Sequence, residues 1–156
     1  MLEGFTRDIR SGSRVGLIGA ARRAYLLALA ALAGPGVLLG VVLALGRPTV
    51  TPLLAAVVLY ALAAALAAWA LRRARQVAVQ LDLPSRSAAL GAAIQAATAP
   101  GVVFLLGCTL AHQPELLAGF WVTAVLLHWR VWSWLPTWVR EPEPLVPSQE
   151  SRLPST

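Results

Sequence analysis

The feature that most constrains this chain is a set of four long apolar stretches, at residues 24–45, 52–71, 87–111 and 115–135. Each holds at least 20 residues. At a helical rise of about 1.5 Å per residue, each reaches roughly the 30 Å of a bilayer's hydrocarbon layer. Backbone N–H and C=O groups find no water there, so such segments close their own hydrogen bonds as helices. The composition agrees, with 58% hydrophobic and 13% charged residues. A soluble chain of 156 residues has too little surface to hide that excess from water. The expected fold is all-α membrane, a four-transmembrane-helix bundle.

Residues 1–23 read as a cytoplasmic N-terminal segment, 24–135 as the membrane domain and 136–156 as a tail. Thr51-Pro52 reads as an N-cap followed by proline at the first helical position. Pro114-Glu115 does the same for the fourth span, with the carboxylate at the positive end of the helix dipole. Short turns at 46–51 and 112–114 bring consecutive spans together as antiparallel neighbours.

Arginine placement sets the orientation. Arg7, Arg10, Arg14, Arg22 and Arg23 precede the first span, and Arg72, Arg73, Arg75 and Arg86 follow the second. The two opposite turns carry only Arg47. Basic loops stay inside, so both termini and the middle loop are expected in the cytoplasm. The apolar run after Arg22-Arg23 is too long for a cleaved signal and suits a retained anchor. All thirteen basic residues are arginine; lysine and asparagine, with A/T-rich codons, are absent. That bias points to a GC-rich bacterial genome, and so to the inner membrane. The net charge of +6 follows from the flanking arginines, and no nucleic-acid partner is expected. Anionic inner-leaflet lipids are the expected counter-charge, beside the bilayer itself.

An internal repeat stands out. Ala33-Gly34-Pro35-Gly36-Val37 lies mid-way through the first span and Thr98-Ala99-Pro100-Gly101-Val102 through the third. Pro52-Leu53-Leu54-Ala55 resembles Pro114-Glu115-Leu116-Leu117-Ala118, and Trp69 aligns with Trp132. This pattern suggests two tandem helical hairpins of equal orientation. Pro35 and Pro100 are expected to kink their helices, with Gly36, Gly40 and Gly101 providing close-packing faces. Gln95 and Thr98 share one face of the third span, where they can hydrogen-bond a neighbouring helix.

His128, Trp129, Arg130, Trp132 and Trp134 cluster near the inner end of the fourth span and read as interfacial anchors. Arg130 and Trp134 are four apart, a spacing that permits a cation–π contact. A pocket for a lipid or quinone headgroup is the functional alternative there. His112 and His128 lie 16 residues apart, about 24 Å along a helix, so they cannot share one haem or metal ion. Cys108 stands alone, so no internal disulfide forms. No serine falls on a shared face with a histidine and an acid, and every acid sits outside the spans or at a helix end. No catalytic, cofactor or metal residue is therefore assigned.

Leu2, Phe5 and Ile9 recur at helical spacing and suggest a short interfacial helix. Residues 72–86 fit either a prolonged second helix or a surface segment. The proline-rich stretch after residue 140 should be disordered. The expected function is that of a non-enzymatic structural or accessory membrane component. It would act through helix–helix contacts, as a homo-oligomer or in a membrane complex. The alternative is a small channel, holin-like pore or transporter subunit. An enzyme acting on lipid or quinone near His128 is the third reading.

Overall fold

A computed structural model of the chain describes residues 14–46, 50–80 and 84–139. It is built from four helices: α1 Arg14–Ala44, α2 Leu53–Val79, α3 Ser85–Cys108 and α4 Pro114–Trp138. Each is long and apolar enough to cross a membrane. The expected N-terminal interfacial helix over residues 2–9 and the proline-rich tail after residue 140 lie outside the described residues.

The helices run past the apolar stretches at their arginine-rich ends. α1 begins at Arg14, ten residues before the first apolar run. α2 carries on through Arg72, Arg73 and Arg75 to Val79, so the first turns of the middle segment are helix. α4 passes through Pro136 to Trp138. At the other end, Pro52 is the N-cap of α2 rather than its first residue, one position later than expected, and accepts the Ala56 N–H at 3.0 Å. Pro114 does open α4, with Glu115 in the first turn. α1 and α3 run unbroken through Pro35 and Pro100.

α3 is the hub. It packs against α1, α2 and α4, whereas α1 and α2 each touch α4 only lightly and do not pack against each other. The first pair is therefore not a packed hairpin, contrary to the expectation of two tandem hairpins. The connection over 45–52 is long enough for α3 to sit between its two helices. The proposed equivalents also differ in setting: Trp69 is largely exposed, while Trp132 packs beside the buried core.

Residue size explains why α3 takes the centre. Ala88, Ala89, Ala92, Ala93, Ala96, Ala97 and Ala99 are all buried, so neighbouring backbones come close. α2 answers with Ala63, Ala67, Ala70, Ala74 and Ala78, spaced by fours and threes along one face. α1 meets α3 through glycines. A Cβ on Gly36 would lie 3.4 Å from Leu105 Cα, one on Gly40 3.3 Å from Cys108 Cβ, and one on Gly101 3.0 Å from Leu32 Cδ1. Gly36, Gly40 and Gly101 thus gather at the α1–α3 crossing, with Pro100 buried beside them, while Pro35 is exposed. Between α3 and α4 the tightest point is Gly107, where an added Cβ would fall 2.6 Å from Phe120 Cβ.

Candidate functional site

Two features concentrate the polar chemistry of the bundle. The first is a clasp of rings and guanidinium groups at the arginine-rich end. Tyr25 on α1 is fully buried, and its hydroxyl lies 2.8 Å from His128 Nδ1 on α4. With the ring proton on Nε2, Nδ1 accepts from the hydroxyl; with the proton on Nδ1, the N–H donates to the phenol oxygen. Tyr25 and His128 stack with centroids 5.4 Å apart, and Trp132 lies 5.9 Å from the imidazole. His128 is thus turned toward α1 and half-buried. Trp129, by contrast, is 76% exposed.

Arginines complete the clasp. The Arg22 guanidinium lies 4.7 Å from the Trp132 ring, joining α1 to α4. Trp134 receives two cations, Arg75 of α2 at 4.1 Å and Arg130 of its own helix at 4.6 Å. The expected Arg130–Trp134 contact is present, and the sequence reading missed its second cation. These ring contacts tie α4 to α1 and α2, although the helices themselves barely meet. Above the clasp, a groove of about 360 Å³ runs between α1 and α4, lined by Leu29, Ala33, Pro100, Phe104, Trp121 and His128 among others. Apart from the imidazole its named walls are apolar, a surface suited to hydrocarbon.

A second polar bridge links α2 to α4. Thr123 Oγ1 donates to Gly119 O at 2.9 Å, which leaves it to accept from Tyr60 OH at 2.6 Å. At the far end, Gln113 Nε2 donates to Thr51 O at 3.2 Å. His112 sits in the turn before α4, the far end from His128, and among the described residues no three of His, Cys, Asp or Glu gather.

The second feature is the face of α3 that none of the described helices covers. Gly91, Gln95, Thr98, Val102, Leu105 and Thr109 are separated by four, three, four, three and four residues, so they form one continuous strip. α2 borders it where Val77 Cγ1 stands 3.4 Å from the position of a Gly91 Cβ, and α1 borders it at Leu105. Gln95 and Thr109 are exposed and the other four half-buried. The two threonine hydroxyls are satisfied within the helix: Thr98 Oγ1 donates to Gln95 O at 2.6 Å and Thr109 Oγ1 to Leu106 O at 2.7 Å. The Gln95 carboxamide makes no hydrogen bond to another described residue. The neighbouring helix expected for Gln95 and Thr98 is thus not supplied by the described residues. No protein-family model, no curated protein and no solved structure matches the chain.

Proposed function

We propose that the chain is a multi-pass protein of a bacterial inner membrane and works there as a non-enzymatic structural or accessory component, through helix–helix contacts. Both termini and the α2–α3 connection lie in the cytoplasm on this reading. The nine arginines before the first span and in the middle loop, against Arg47 in the opposite turns, support the orientation. One observation carries the function: the uncovered strip of α3, with the Gln95 carboxamide exposed at its middle. Gln95 is ten residues from the start of α3 and 13 from its end, near the depth where lipid offers no hydrogen bond. A polar strip at that depth calls for another helix. The channel reading draws on less, because Tyr25, Tyr60, Thr123 and His128 inside the spans already bind one another.

A photo-crosslinking side chain in place of Val102, on the strip, tests this in intact membranes. It should give a protein adduct, whereas the same group in place of Val57, exposed on α2, should give none. Lipid adducts alone at Val102 would refute the reading.

A further inference from the structure

We infer that the open strip of α3 takes a second copy of this chain, the two α3 helices crossing at Gln95 about a twofold axis along the membrane normal. This deepens the helix-contact reading above and rests on it.

The carboxamide comes first. It carries both a donor and an acceptor, so it is complementary to itself. Two copies inserted by the same charge rule share one orientation, which places every residue at the same depth as its equivalent. Gln95 of one copy therefore meets Gln95 of the other with no adjustment of register. Each N–H then finds the other's carbonyl oxygen. A different partner would need a polar residue of its own at that depth.

The strip has the shape for such a pairing. Its four-three spacing from Gly91 to Thr109 is the seam of a left-handed helix pair. Gly91, Thr98 and Val102 are small enough for two backbones to come close around the longer Gln95. The threonine hydroxyls, already bonded within the helix, present their methyl groups and raise no competing demand. α1 and α2 stand on either side of the strip without packing together, so a twofold axis through it sets α1 of one copy against α2 of the other. A buried polar pair at one seam position is also the device that fixes register and number in helix pairs.

Disulfide trapping tests the inference in the full chain. With Cys108 replaced by alanine, a single cysteine is placed at Val102 or Thr98, and at Val125 on α4 as a control, in cells that make the chain with two different tags. Oxidation of native membranes should give a species of twice the chain mass carrying both tags at positions 98 and 102, and none at 125. Gln95→Leu, which suits lipid and preserves the helix, should lower that yield at least fivefold, and Gln95→Asn should retain most of it. Undiminished trapping with Gln95→Leu overturns the role given to the carboxamide. If the seam cysteines give no doubly tagged species while the Val102 photo-adduct has the mass of another protein, the second copy is ruled out and the accessory reading stands. If neither approach yields a protein adduct, both fall.

Discussion

Gly107→Ala offers the sharpest test of the packing. A Cβ at residue 107 would stand 2.6 Å from Phe120 Cβ, with Phe120 Cγ at 3.4 Å and Trp121 Cδ1 at 3.5 Å. Carbon atoms rest at about 3.5–4.0 Å, so roughly an ångström is missing. The obstructing atom is itself a Cβ, fixed to the backbone of α4, and no rotamer of Phe120 moves it. Phe120 is 2% exposed, packed with Ala99, Val103 and Ala124, so α3 and α4 must part locally and loosen that cluster. Overpacking of this kind costs about 1–3 kcal/mol. Alanine also gains up to about 1 kcal/mol over glycine in helix propensity, which works in the opposite direction. Gly119→Ala isolates that gain, because nothing lies within 4 Å of its Cβ position on α4. Unfolding of both variants in mild detergent, followed by tryptophan fluorescence, should leave Gly119→Ala at or above the parent. Gly107→Ala should fall below Gly119→Ala by about 1–3 kcal/mol, a factor of at least 5 in the unfolding equilibrium. Equal stability of the two variants would refute the close α3–α4 approach.

Other expectations follow from the polar contacts and the orientation. A double-mutant cycle of Tyr25→Phe and His128→Phe should return a coupling of about 0.6–1.7 kcal/mol by the same unfolding assay, the range for hydrogen bonds between membrane helices. No coupling would mean the 2.8 Å contact is not made. Arg130→Lys should change stability by less than about 1 kcal/mol, because Arg75 still holds the Trp134 ring, whereas Trp134→Leu removes both cation contacts and should cost more. In the Cys108→Ala background, cysteines at Thr49 or Gln113 should react with an impermeant thiol reagent from the periplasmic side, and those at Gln80 or Ser148 should not; labelling at Gln80 would reverse the orientation.

Four helices were legible in the sequence because spanning length and apolar runs are local properties. The opening of α4 was legible too, since Pro114 and Glu115 act within one turn. The choice of central helix was not. A short connection implies adjacency, yet α1 and α2 are separated by α3, whose alanines let it fit between them. The signal existed in the run of small residues from Ala88 to Ala99, but alanine is abundant in the first two spans as well and masks it. Residues 72–79 alternate in a way that also fits an extended segment, and only the continuing backbone bonds of α2 decide for helix. The clasp was half visible. His128, Arg130, Trp132 and Trp134 crowd one stretch, but Tyr25, Arg22 and Arg75 come from distant helices. A fully buried tyrosine must find an acceptor, and His128 is the one imidazole within a span, so chemical need could have paired them before geometry did.

The hub position of α3 has a consequence for how the chain is made. Synthesis proceeds from the N-terminus at about 5–20 residues per second, and α1 and α2 emerge first. Neither offers the other a packing surface; the glycines of α1 and the alanines of α2 both wait for a helix that is not yet translated. Until α3 is translated the nascent chain holds two helices with their small-residue faces vacant. Both faces are filled when residues 85–108 enter between them, and α4 then packs on the resulting three-helix layer. A nascent chain cut short at Val79 is consequently not half a bundle but two unmatched helices, open to membrane chaperones and proteases alike.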